Sequence, residues 1–131
     1  MRQPKFRGFS PETNEWVYGY GWHETDYTDD FLRSINQSRQ DAVLFTKTFP
    51  ITCDIESMGE FTGLLDTNGV EIYEGDIVRH ATDEGIYKVI FDDGGFYVKN
   101  LFEYDFQTID EYPLEVIGNT YEYIELLKKT E

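Results

Sequence analysis

The stretch Phe61–Val78 reads FTGLLDTNGVEIYEGDIV, and its turn signals set how the rest of the chain is read. Asp66-Thr-Asn-Gly69 separates two apolar runs. An Asn-Gly step is favoured where a hairpin needs two central residues at positive φ, here Asn68 and Gly69. Val70-Glu-Ile-Tyr73 then alternates, with Val70 and Ile72 on one face and Glu71 and Tyr73 on the other. Glu74-Gly-Asp76 turns the chain again, and Ile77-Val-Arg-His80 begins a further strand. Glycine accepts backbone conformations that other residues resist, and aspartate bonds to nearby amides. The Gly75-Asp76 step therefore reads as scaffold.

The same grammar recurs on both sides. Towards the N-terminus, Lys5–Phe9 and Glu15–Tyr20 flank the turn-rich Ser10-Pro-Glu-Thr-Asn14, a hairpin with Phe6, Phe9, Trp16 and Tyr18 as its expected buried side chains. Ala42–Phe49 reads as a strand stopped by Pro50, and Ile51–Ile55 as another. Between them and the hairpin, Asp29 or Asp30 is expected to cap a short helix through Phe31, Leu32 and Ile35. Beyond the opening stretch, Gly85–Phe91 and Phe96–Lys99 flank Asp92-Asp-Gly-Gly95, and Tyr112–Ile117 adds one more strand. Arg79, Lys88 and Lys99 would blunt the edges.

A helix closes the chain. Asn119 is its expected cap, with Glu122 three residues on in a capping-box position. Glu122 and Glu125 suit the positive end, Lys128 and Lys129 the negative end, and Tyr123, Leu126 and Leu127 an apolar side. The expected fold is mainly β, with α+β as the alternative: an N-terminal hairpin, a small barrel-like antiparallel meander and a short C-terminal helix. The organisation is read as one domain over 1–131, with an N-terminal part over about 1–56 and a barrel-like part over about 57–131.

Composition narrows the function classes. Aromatics make up 17% of the 131 residues, too many for a disordered chain. Asp plus Glu number 26 against 11 Lys plus Arg, for a formal net charge of -15. Phosphate backbones and anionic membranes demand a basic footprint, so direct nucleic-acid and membrane binding are both set aside. A solvated surface, a divalent-cation site or a surface that imitates DNA remains. Cys53 is the only cysteine, which rules out a disulfide within the chain and fits a reducing compartment. It sits among apolar residues and reads as a small core residue. No apolar run has the length of a signal-peptide core or of a membrane span, so the expectation is a cytoplasmic protein.

No Ser-His-Asp or Cys-His set and no paired-carboxylate motif emerges, so neither catalytic residues nor a cofactor are assigned. Asp92-Asp-Gly-Gly95 has glycines, but its carboxylates would repel a phosphate. His23, Glu24 and Asp26, followed by Asp29 and Asp30, are the best metal candidates, since imidazole and carboxylate suit Zn, Mn or Fe. Their spacing matches no established ligand motif, and such a loop is ordinarily just solvated. His80 reads as a surface residue at a strand end. Tyr20, Trp22 and Tyr27 look exposed and are the candidates for contact with a partner.

Three blocks together resemble the YopX family of phage and prophage proteins. They are Lys5-Phe-Arg-Gly-Phe9, the central Phe61–Val78 run, and Val116-Ile-Gly-Asn-Thr-Tyr-Glu122 with Leu126-Leu127. The central block is the specific one. Gly63, Asn68, Gly69, Gly75 and Asp76 in the central block, with Gly118 and Asn119 in the closing one, are the structural signature. The resemblance implies a phage or prophage origin, a bacterial cytoplasm and a mainly β fold, and it supplies no catalytic residues. The leading expectation is therefore a non-catalytic accessory protein that binds a host or phage protein, with homo-oligomers allowed. An acidic DNA mimic that occupies a host DNA-binding protein is the alternative, and a metal-dependent hydrolase the third reading.

Overall fold

In the computed structural model, residues 4–80, 85–102, 106–109 and 113–129 are described, with side chains through 124 in the last segment. Twelve strands and two α-helices occur among them, and the pairings are antiparallel. The mainly β expectation holds. The chain divides into two compact units, 1–60 and 61–131.

In the first unit, β1 (Phe6–Ser10) and β2 (Glu15–Gly19) form the expected hairpin, with Gly8 opposite Val17 and Phe9 opposite Trp16. A three-stranded sheet follows: β3 (Gly21–Glu24), β4 (Asp41–Phe45) and β5 (Pro50–Asp54), in that order. Ala42, Leu44 and Cys53 are fully buried, and Phe6, Val17, Ile51, Ile55 and Met58 pack on them. Two glycines make this close packing feasible. A Cβ on Gly8 would lie 2.5 Å from the Met58 sulfur, and one on Gly19 would lie 2.3 Å from the Phe45 carbonyl.

Several expectations change here. Tyr18 and Trp16 do not join the core, because strand alternation gives the inward positions of β2 to Val17 and Gly19. The strand from Ala42 stops at Phe45, where Thr46 Oγ1 accepts from the amides of Thr48 and Phe49 and donates to the Phe49 carbonyl. Pro50 begins the next strand rather than ending the last, as proline can at the first residue of a strand. Helix α1 (Asp29–Ser34) is capped by Thr28, whose hydroxyl accepts from the Phe31 amide. Asp29 and Asp30 occupy its first turn, where the helix dipole favours them.

β6 (Gly59–Leu65) leaves the first unit for the second. Its first two residues pair with β1, and Phe61 and Leu65 pair with β7 (Glu71–Tyr73). The second unit holds a five-stranded sheet built from β8 (Asp76–His80), β9 (Ile86–Asp92), β10 (Gly95–Asn100), β11 (Phe106–Thr108) and β12 (Leu114–Asn119). Consecutive strands β8 to β11 meander, and β12 returns to pair with β8. Ile72, Val78, Tyr87, Val89, Val98, Ile109 and Leu114 form its core.

Helix α2 (Thr120–Lys129) follows directly, and Asn119 Oδ1 accepts from the Glu122 amide at 2.8 Å, as a cap does. The expected roles of the Glu125, Leu126, Leu127, Lys128 and Lys129 side chains, and that of Tyr112, lie outside what is described.

Candidate functional site

β3 carries two of the three candidate metal ligands, and a strand separates them. His23 is opposite Val43 and Glu24 opposite Ala42, so these consecutive side chains leave opposite faces of the sheet. The His23 ring lies 5.5 Å from that of Phe45, and its Nδ1 is 3.2 Å from the Glu24 carbonyl oxygen. Asp26 follows in the connection to α1. Asp30, further on, pairs with Arg33 across one helical turn. Among the described residues, no group of three or more His, Cys, Asp or Glu is placed to hold a metal ion.

The signature residues of the central and closing blocks act on the backbone. Gly63, at φ 88°, sits where the β6–β7 register slips, and Thr62 beside it donates its hydroxyl to the Ile72 carbonyl at 2.8 Å. Gly75, at φ 93°, donates its amide to Val89 and accepts from both the amide and hydroxyl of Thr120. The Asp76 carboxylate is buried and accepts from the Tyr73 amide at 2.7 Å, closing the turn between β7 and β8. Gly118 stands at the register shift of β12 against β8.

Asp66 is the residue that sequence reasoning passed over. It is only 7% exposed. Its Oδ1 accepts from the amides of Asn68 and Val70, both at 2.8 Å, and its Oδ2 from Val116 at 2.9 Å. Burial pushes its pKa up, but the three amides outweigh burial and hold the carboxyl below its ordinary value. The Thr67 amide adds a bond to the Leu114 carbonyl. The loop is thereby tied to β12, so the carboxylate is structural. A hint was present in the sequence, since aspartate at the start of a turn commonly accepts from the amide two residues on. Its partner fifty positions away was not readable.

Two further side chains can be placed. Cys53 is buried, and burial, with a smaller contribution from the Asp54 charge, raises its thiol pKa to about 11. Little nucleophilic thiolate exists there near neutral pH. His80, expected at the surface, is 3% exposed with its ring 6.3 Å from Tyr87. The alternation of β8 turns Asp76, Val78 and His80 to the inside together.

The three aromatic residues expected at a partner contact differ in exposure. Tyr20 and Trp22 are 45% and 37% exposed. Tyr27 is half-buried, packs on Phe31 at 4.8 Å, and has its backbone held by the Gln40 amide group. Among the described residues no ring contact joins these three to one another.

A more continuous arrangement lies on the face of the β1–β2 hairpin opposite to Val17 and Gly19, where cations and rings alternate and most are half-buried. The Lys5 ammonium lies 5.7 Å from the Tyr18 ring centre, the Arg7 guanidinium 4.7 Å from that of Trp16, and Phe9 meets Trp16 edge-on at 5.6 Å. Tyr18 is 48% exposed. Each cation reaches diagonally across the strands, so the ladder follows from the register, which sequence alone did not supply.

Each unit also holds a cleft. One, of about 290 Å³, is polar and surrounds Arg39, which bonds Glu56 at 2.8 Å and approaches Asp54 at 3.6 Å. The other, of about 270 Å³, lies in the second unit between Leu64, Ile72, Ile109 and Leu114, with Asp66 at its wall. Among the described residues, no helix is long and apolar enough to cross a membrane.

A family-model comparison agrees with the signature blocks. The family model "YopX protein" matches residues 5–128, and the chain belongs to that family. Among solved structures, a protein from Enterococcus faecalis, "Crystal structure of protein EF1440", is similar at 22% identity and a TM-score of 0.48, over 95% of this chain and 97% of that one. No curated protein matches the chain.

Proposed function

We propose that this YopX-family protein is a non-catalytic binding module, a phage or prophage accessory protein that acts by engaging a host or phage protein. The cation–aromatic ladder of β1 and β2 carries the reading. Trp, Tyr and Arg are the residues most enriched where protein interfaces concentrate their binding energy. Here Arg7, Trp16 and Tyr18 share one face of the hairpin, the first two half-buried and Tyr18 exposed, with Tyr20 and Trp22 exposed just beyond it in the chain. Ring–cation contacts also hold these side chains in place before a partner arrives, which lowers the entropy lost on binding.

The test pairs the native protein with a Trp16→Ala/Tyr18→Ala variant. A protein captured from the host by the native chain is purified and titrated against both. The double variant should bind at least about tenfold more weakly, since interface aromatics commonly contribute that much, while circular dichroism shows both folded. Equal affinities would count against this face, and capture of nothing specific against the reading as a whole. A captured partner that duplex DNA displaces would instead favour the acidic DNA mimic suggested by the net charge of -15.

A further inference from the structure

The outward face of the second unit's sheet carries an arrangement that the preceding reading does not use. Lys88 on β9 stands directly opposite Lys99 on β10. Directly opposed like charges destabilise a sheet, and in a chain with 26 acidic residues against 11 basic ones the pairing is unexpected. Among the described residues neither lysine makes an ion pair, although Lys99 lies 5.7 Å from the Phe106 ring centre.

Strand alternation orders the rest of this face. Two residues along from the lysines stand Ile90 and Tyr97, opposite each other, with the Tyr97 ring over Gly95. Two residues further stand Asp92 and Gly95, and the exposed Asp93 follows at the hairpin tip. The strip therefore runs from two cations, across an apolar centre, to two carboxylates, over roughly 13 Å at the usual rise of a strand.

We infer that this strip is a self-association surface and that its occupant is a second copy of the chain. A twofold axis lying across the strands at the level of Ile90 and Tyr97 reverses the strip upon itself. Lys88 and Lys99 of each copy then lie over Asp92 and Asp93 of the other, and the Ile90–Tyr97 pairs meet at the axis. Such an interface is isologous, with each patch complementary to itself. Charge complementarity also fixes the register, because a shift by one pair of rows sets cation over apolar residue.

Reversal of the charges tests the arrangement. By analytical ultracentrifugation at about 100 µM, where a micromolar dimer is well populated, the native protein should sediment as a dimer. Lys88→Asp alone and Asp92→Lys alone should each weaken dimerisation by about tenfold or more, because each places like charges over one another twice. Mixing the two variants should restore a dimer, a heterodimer with both contacts again of opposite sign. Circular dichroism on each variant separates loss of folding from loss of association. A monomeric native protein overturns the inference, as does dimerisation that either reversal leaves unchanged. So does a native monomer whose lysines bind an acidic peptide or an oligonucleotide instead.

Discussion

The loop Asp66–Val70 and the turn Asp92–Gly95 both open on an aspartate and contain a glycine, yet they are held in different ways. Each places a glycine at φ 82°. In the second, Asp93 and Gly94 both take positive φ and Asp92 pairs with Gly95, the two-residue turn that suits a hairpin's twist. In the first, positive φ is confined to Gly69, and the expectation for Asn68 fails. Asp66 instead gathers three amides, including that of Val116 in a different strand. One turn is held by backbone geometry alone and keeps its carboxylates in water. The other is held by a buried carboxylate that also fastens β12.

The sharpest way to break this comparison is to remove the two carboxylates. Asp66→Ala leaves three amides in a nearly closed site without their acceptor, and should lower unfolding stability by about 3 kcal/mol. Asp92→Ala removes an exposed charge and should change it by less than about 0.5 kcal/mol. Urea denaturation of the two variants under conditions that keep the protein monomeric measures both. Comparable losses would mean that Asp66 is no more than a turn residue.

Acid should reveal the same asymmetry. The folded pKa of Asp66 lies below its unfolded value of about 3.9. Its ionised form therefore contributes stability that is complete above the unfolded value and is lost as pH falls through the folded one. The loss proceeds at no more than about 1.4 kcal/mol per pH unit for one proton. The stability gap between the native protein and Asp66→Asn should accordingly narrow as pH drops below about 4. A gap that stays constant from neutral pH into that range would remove the charge from the account.

Next in size come the glycines. Gly69→Ala and Gly94→Ala meet nothing within 4 Å, so their cost is the backbone alone. Since both sit at φ 82°, each should lose about 1 kcal/mol, and by nearly equal amounts. Unequal losses would show that one loop relaxes around the substitution and the other does not.

These loops also show what could be read from the sequence. Local chemistry was legible: the hairpin at Ser10–Asn14, the direction change at Gly75-Asp76, and Asn119 as the helix cap all depend on residues within a few positions of each other. Features set by distant partners were not. Asp66 waits on Val116, Gly8 on Met58 and Cys53, and the Arg7–Trp16 contact on the β1–β2 register. Tyr18 is expected inward, but the position that faces the core belongs to Val17. Strand β3 went unread because Gly21-Trp-His-Glu24 is short and polar, and only β4 beside it completes its hydrogen bonds. The proposed partner surface was thus legible as composition, and its geometry only after register was known.

The smallest effect is also the most selective, because it makes one chemical change in both loops. Asp93→Asn keeps a short polar side chain that tolerates positive φ, and Asp93 sits at φ 48° in an exposed turn. The change should alter stability by less than about 0.3 kcal/mol. Asp66→Asn preserves shape equally well, but replaces one acceptor oxygen with an NH₂ group that cannot receive an amide proton. At least one of the Asn68, Val70 and Val116 amides then faces a donor, so this substitution should cost about 1–2 kcal/mol at neutral pH. Urea midpoints for the pair report the difference directly. If the two asparagines cost the same, the loops are held alike, and the bond to Val116 adds nothing to what the turn residues already provide.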